Sequence, residues 1–206
     1  MRAVIFANGD LKQPEFYQDY ILPGDFIICA DGGYAHVLEL GLIPDVVLGD
    51  FDSMERARVV CREILTYPAE KDATDTEIAV DYALEEGFDE ILLLGCLGSR
   101  MDHSLANLFL LKKIAVSGAQ GTILDEHNCV SYCEKEISVS GKAGDTLSVI
   151  PLEGDVEGVT TEGLYYELHG ETLLFGSSRG VSNVLTGETA KITFSKGSAL
   201  VIVARD

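Results

Sequence analysis

The chain has 206 residues, 47% of them hydrophobic and 24% charged, ordinary material for one sizeable globular domain or two small ones. Its formal net charge of -19 excludes a general nucleic-acid binder, which needs a basic footprint to displace counterions from phosphates. No stretch approaches the roughly 18 apolar residues of a membrane span, and the apolar run in MRAVIFANGD is too short for a signal peptide; a cytosolic protein without membrane or nucleic-acid partners is expected.

Through GTILD at residues 121–125, short apolar runs alternate with helical patterns. AVIFA (3–7), FIICA (26–30), DVVLG (45–49), EILTY (63–67), EILLLG (90–95) and GTILD are predicted strands, several continuous enough to be buried on both faces. Between them, YAHVLELG closed by Gly41, MERARVVCRE, TDTEIAVDYALEEG closed by Gly87, and DHSLANLFLLKKIAVSG closed by Gly118 are predicted helices. This rhythm predicts an open, mainly parallel sheet flanked by helices, a Rossmann-like α/β domain over residues 1–126.

The pattern changes at about residue 127. NCVSYC, EISVS, DTLSVIP, DVEGVTT, LYYEL, ETLLFG, AKITF and SALVIVA are short runs separated by glycine or charged turns, which predicts an all-β domain, a β-sandwich, over 127–206. The odd count of five cysteines, with no C-x-x-C pair, reads as thiols in a reducing compartment. Cys129 and Cys133 with His127 leave a zinc reading open, though a strand through CVSYC suits the period better.

Ligands of open α/β sheets bind beyond the carboxyl ends of the strands, and the residues there are acidic. FIICA is followed by Asp31-Gly32-Gly33, DVVLG by Asp50 and Asp52, EILTY by PAEKDATD with Asp72 and Asp75, and EILLLG by GCLGSRMDH with Arg100, Asp102 and His103. Singly these have plain roles: Asp75 is an N-cap or first-turn acid, Asp102 an N-cap, and Arg100 a surface partner for Asp102. Gathered at one sheet edge, such a density of hard oxygen ligands favours Mg²⁺ carried with a phosphate. The glycines can bring backbone N–H groups close to phosphate oxygens, and the Arg100 fork can chelate them. The Walker and dinucleotide fingerprints are both missing from the sequence.

ADGGYAHVLELGLIPDVVLGDFDS, KDATDTEIAVDYAL, LGSRMDHSLANLFLL and finally TEGLYYEL with SRGVSN resemble, in order, the blocks of the thiamine pyrophosphokinase family. The resemblance implies an α/β catalytic domain binding ATP and Mg²⁺, followed by a β-sandwich for thiamine binding and dimerisation. It further implies a homodimer whose active sites lie at the subunit interface, and transfer of the pyrophosphoryl group of ATP to the thiamine hydroxyl, giving thiamine diphosphate and AMP. By matching position it implies Asp50, Asp52 and Asp75 as catalytic metal ligands, with Asp31 and Asp102 nearby orienting water or the nucleophile. Gly32, Ser53, Lys71, Asp72, Thr74, Arg100 and His103 would surround the nucleotide phosphates, and Tyr166, Ser182 and Asn183 would bind thiamine. The chain departs from the family pattern in having Tyr166 where many members carry tryptophan, and Val184 where an acid often follows the Ser-Asn pair.

Two other readings stay open at this point. A haloacid-dehalogenase-type phosphatase would use Asp50 as nucleophile and Asp52 as acid, although its motif normally follows the first strand. A non-catalytic nucleotide- or thiamine-binding module would keep the pocket and lose the metal-binding acids.

Overall fold

A computed structural model describes residues 1–51, 59–68, 70 and 72–205. The chain divides into two compact units, Met1–Glu126 and His127–Asp206.

In the first unit the apolar runs become six strands, β1 (Arg2–Phe6), β2 (Phe26–Ala30), β3 (Val46–Gly49), β4 (Glu63–Thr66), β5 (Glu90–Leu94) and β6 (Gln120–Leu124). They pair in parallel in the order β6-β5-β1-β2-β3-β4. Ala3 through Phe6 on β1 are wholly buried, as a central strand covered on both faces requires, and each such Ile or Phe contributes about 1.5–3 kcal/mol. The edge strand β4 leaves Glu63 and Thr66 exposed, the polar character that protects an unpaired edge.

Helices α1 (Pro14–Gln18), α2 (Gly33–Glu39), α3 (Asp75–Glu85) and α4 (Met101–Val116) connect these strands. Helix α1 is not anticipated by the sequence pattern; Pro14 opens it, its fixed φ suiting a first turn. Thr74 caps α3 by accepting a hydrogen bond from the Glu77 amide at 3.2 Å. Lys113 of α4 donates to Glu77 and Asp81 of α3 at 2.9 and 2.8 Å, a half-exposed pairing worth well under about 1 kcal/mol.

The helix predicted over MERARVVCRE is corrected in its second half: residues 59–62 are irregular and Glu63 begins β4. Consecutive β-branched Val59 and Val60 disfavour a helix, and the Val60 amide instead donates to the Tyr34 hydroxyl at 2.9 Å. Residues 54–58 of that stretch lie outside the described residues.

The second unit is antiparallel throughout. One sheet has the order β12-β9-β14-β7, from β7 (Asn128–Cys133), β9 (Thr146–Pro151), β12 (Asn183–Val184) and β14 (Ala199–Ala204). The other has the order β11-β10-β13-β8, from β8 (Glu136–Ser140), β10 (Val156–Glu162), β11 (His169–Leu173) and β13 (Thr189–Thr193). Leu147, Val149 and Val201 of the first sheet share a core with Val159, Leu173 and Ile192 of the second, the interdigitation of a sandwich.

The strand predicted at LYYEL is a loop, and the one at ETLLFG is displaced to His169–Leu173. Leu164 is buried and bridges to Leu185, whereas Tyr165 and Tyr166 are exposed. The reason is that a side chain replaces a strand here: the Asn183 amide satisfies both backbone groups of Tyr166.

At the start of α2 a Cβ on Gly33 would lie 2.0 Å from the Phe6 carbonyl oxygen, so Gly33→Ala is expected to destabilise the protein by at least about 2 kcal/mol in urea denaturation. Thr74→Ala should lose about 1 kcal/mol through the missing cap, with Thr74→Ser recovering most of it; matched melting curves of the three proteins test this.

Candidate active site

In the first unit the strand order places β1 between β2 and β5, so chain direction away from β1 reverses at the β1/β5 boundary. Such a switch point opens a crevice at the carboxyl ends of the strands. A cleft of about 610 Å³ lies there, and four strand ends and the start of α3 contribute to it. Asp10 follows β1, Asp31 follows β2, Asp50 follows β3, Asp75 stands in the first turn of α3, and the Gly95–Arg100 loop follows β5.

Asp31 and Asp50 are brought together by strand pairing. Ala30 of β2 is the register partner of Leu48 of β3, and the Asp31 amide donates to the Leu48 carbonyl at 2.7 Å. Asp31, Asp50 and Asp75 are half-buried and line the same cleft. A cation bound among carboxylates lining one cleft would be favoured by their charge. Their all-oxygen donor set fits Mg²⁺, which takes one or two carboxylates together with substrate phosphates instead of a closed protein cage. Among the described residues no three His, Cys, Asp or Glu side chains form a ready-made cage. Asp52, Ser53 and Lys71 lie outside the described residues.

Arg100, His103, Thr74, Ser104 and Asn107 also line the cleft. Gly32 stands beside Asp31 as the N-cap of α2, against the Asn8 side chain. Asp72 is exposed, and neither it nor Asp102 is among the lining residues. Asp102 is not the N-cap expected: Arg100 occupies that position, and Asp102 sits in the first turn of α4. Its carboxylate accepts from Arg100 Nε at 3.2 Å and from Nη2 at 2.5 Å. The guanidinium hydrogen bonds hold the Asp102 carboxyl at about 2. Because the folded value is lowered, whatever this exposed pair adds to stability is present at neutral pH and lost only as pH falls towards 2. Cys96, at the floor of the cleft, is buried, and desolvation pushes its thiol up to about 12, which leaves it unreactive at neutral pH.

The second unit has its own cavity of about 430 Å³, within the size range of small-molecule sites. Leu147, Val149 and Leu164 give it apolar walls, Glu171 and Arg179 charged ones, and Tyr166, Ser182 and Asn183 all line it. Tyr166 is exposed and stacks edge-on against Tyr165 with ring centroids 4.8 Å apart. Asn183 spends most of its side chain internally: Oδ1 accepts from the Tyr166 and Val184 amides at 3.0 and 2.9 Å, and Nδ2 donates to the Tyr166 carbonyl at 2.7 Å. One Nδ2 hydrogen remains.

Three non-glycine residues adopt positive φ among the described residues: Asp31 (44°), Phe51 (59°) and Ser182 (62°). All three stand at these two sites, Phe51 directly after Asp50. Each conformation costs about 1–3 kcal/mol and persists where the surroundings over-determine it, typically at functional sites.

Sequence reasoning misses Asn8, Gly9, Asp10, Ser104 and Asn107 at the cleft, and Glu171 at the cavity. Asn8-Gly9 is a visible turn signal after the first apolar run, but its place beside the β5 loop follows only from the strand order.

Residues 17–123 match the family described as thiamin pyrophosphokinase, catalytic domain, and residues 134–199 match the thiamin pyrophosphokinase vitamin B1 binding domain. Thiamine pyrophosphokinase of Bacillus subtilis (strain 168) is 32% identical over 186 residues, covering 87% of this chain and 87% of the relative. Thiamin pyrophosphokinase 1 of Caenorhabditis elegans is 26% identical, covering 77% of this chain and 68% of its own. The crystal structure of the Bacillus subtilis thiamine pyrophosphokinase superposes with a TM-score of 0.90 at 28% identity, covering all of both chains. That of the Geobacillus thermodenitrificans enzyme superposes with a TM-score of 0.87 at 30% identity, covering 100% of this chain and 98% of the other. With both of its units matched, one to a catalytic and the other to a vitamin-binding domain, this chain belongs to the thiamin pyrophosphokinase family.

Proposed function

We propose that the protein is an Mg²⁺-dependent thiamine pyrophosphokinase that uses ATP as donor. The observation that carries this reading is that each unit matches its half of the family and holds a cavity of its own, one lined by carboxylates and one by aromatic and apolar groups. The same matches leave the phosphatase and the non-catalytic module without support.

In the reaction the thiamine hydroxyl oxygen bonds to the β-phosphorus of ATP. The bond from that phosphorus to the oxygen bridging to the α-phosphate breaks, and AMP departs with the bridging oxygen. Asp50 and Asp75, with Asp52 and with Asp31 adjacent, would hold Mg²⁺, which supplies charge neutralisation for the triphosphate and the departing AMP. Arg100, His103, Thr74, Ser53 and Lys71 would contact phosphates, and Gly32 would let the backbone approach them. A carboxylate such as Asp75, which lines the cleft, or Asp102, which is hydrogen-bonded to Arg100, would take the hydroxyl proton. A loose transition state asks little of that base, so positioning and electrostatics dominate. Asp102 would then serve by orienting Arg100, and Asp72 by adding to the local negative field.

Thiamine would occupy the cavity of the second unit, with its pyrimidine ring against Tyr166 and hydrogen-bonded to Ser182 and to the remaining Asn183 hydrogen. Its fixed thiazolium charge suits the acidic lining of Glu167 and Glu171, the latter already paired with Arg179 at 3.2 Å. A homodimer in which the catalytic unit of one subunit serves the vitamin-binding unit of its partner completes the reading. A cytoplasmic setting is supported by five free thiols and by the fact that, among the described residues, no helix is long and apolar enough to cross a membrane.

Incubation with ATP, Mg²⁺ and thiamine should yield AMP and thiamine diphosphate in equal amounts and stop with EDTA; free phosphate without AMP would instead support the phosphatase. Asp50→Asn is expected to lower turnover by at least about 100-fold with little change in melting temperature. Asn183→Ala should raise the KM for thiamine about tenfold while leaving that for ATP nearly unchanged, because Tyr166 loses its two-point hold; a thiamine KM that does not move would remove Asn183 from the site.

A further inference from the structure

The loop after β5 carries a hydrogen-bond pattern that neither a family match nor a motif explains. Four consecutive carbonyls are each held by a donor. Gly95 O accepts from the Gly9 amide at 2.7 Å, Cys96 O from Asn107 Nδ2 at 2.7 Å, Leu97 O from the Asp10 amide at 2.9 Å, and Gly98 O from Ser104 Oγ at 3.3 Å. The holds alternate: carbonyls 95 and 97 are drawn to the loop after β1, and carbonyls 96 and 98 to α4. Ser104 Oγ also accepts from the Gly98 amide at 3.2 Å, and its single proton is shared between the Gly98 carbonyl at 3.3 Å and the Arg100 carbonyl at 3.1 Å.

The two α4 side chains that make these holds are buried, at 8% exposure for Ser104 and 6% for Asn107, on a helix whose polar residues otherwise face solvent. Burying an amide and a hydroxyl is tolerated only when they are bonded, and their partners here are loop carbonyls at the edge of the cleft. Gly95 permits the arrangement, with φ of +63° and the Ala7 carbonyl oxygen 2.6 Å from where a Cβ would stand. Among the described residues every peptide is trans, so a carbonyl and the following N–H point in opposite directions. Holding Cys96 O and Gly98 O against α4 therefore turns the Leu97 and Ser99 amides away from it. A loop whose carbonyls are engaged on other sides leaves the Leu97 and Ser99 amides as the donors it can offer a ligand, the electrostatic face that an anion needs.

We infer that Asn107, assisted by Ser104, is a positioning residue for the phosphate chain of the nucleotide donor: by holding the Cys96 and Gly98 carbonyls it keeps the N–H edge of the Gly95–Arg100 loop towards that chain. This rests on the proposed reaction for the identity of the donor, but the loop's preference for a polyphosphate can be read without turnover. In Asn107→Asp the carboxylate faces the Cys96 carbonyl with an acceptor where a donor stood, and the peptide loses its hold.

The test is calorimetric titration of the folded full-length protein with Mg²⁺–ATP, with Mg²⁺–tripolyphosphate, and separately with thiamine, comparing the wild type with Asn107→Asp and Ser104→Ala. ATP and tripolyphosphate are expected to weaken together by about tenfold in Asn107→Asp and about threefold in Ser104→Ala, with thiamine changed less than about twofold. Unchanged polyphosphate affinity in Asn107→Asp, or an equal loss for thiamine, would overturn the inference. If Asn107→Asp does not fold, Ser104→Ala decides alone, and an unchanged tripolyphosphate affinity there overturns it. A wild type that binds tripolyphosphate yet makes no AMP from ATP and thiamine would overturn the proposed reaction and leave the role of the loop standing.

Discussion

The acidic cleft depends on one constraint above others, the parallel pairing of β1 between β2 and β5. Parallel pairing sends the carboxyl ends of these strands to the same edge. That pairing is secured by continuous apolar runs that have no polar face to offer water, as the wholly buried Ala3–Phe6 segment illustrates. A register slip on a central strand would expose nothing polar and bury nothing new, so pairing order matters more here than facial alternation. The loops Ala7–Asp10 and Gly95–Arg100 meet because β1 and β5 are neighbours, although some 80 residues separate them in the chain.

Like charges are gathered on this frame against their own repulsion, and the frame supplies the opposing work. Asp31 and Asp50 stand on adjacent strand ends whose core residues are buried. A cation bound among such carboxylates would be favoured by their charge. On the proposed function, binding of a metal–nucleotide complex would be coupled to the stability of the first unit. The second unit follows another principle, since its cavity is walled by core leucines and valine and carries few charges. On the proposed function it would select by shape and by an exposed aromatic face.

Much of this is readable in the residues, for reasons that also explain the exceptions. FIICA and EILLL announce buried strands because nothing in them tolerates water, and the longer helices α3 and α4 announce themselves by length and by glycine closures. MERARVVCRE misleads because its charges sit at helical spacing while its two valines and the Tyr34 hydroxyl decide otherwise. LYYEL misleads because its composition is that of a strand, and only the Asn183 side chain, distant in sequence, reveals that no strand partner is needed. Asp102 has the residue type of a cap, yet the helix begins two residues earlier than that would require and Arg100 claims its carboxylate. Asn8, Ser104 and Asn107 leave no local trace, because what they do depends on which loops the sheet brings side by side.

The left-handed conformations of Asp31, Phe51 and Ser182 have a consequence for how this protein can change. Glycine at any of the three would relieve local strain, so selection for thermal robustness alone would drift towards it. Glycine would also release the dihedral that aims the neighbouring side chain, exchanging a fixed site for a fluctuating one. Heat-adapted relatives must therefore find their added stability elsewhere, in the sandwich core or the outer helices, and the strained positions mark where the fold has no freedom to improve.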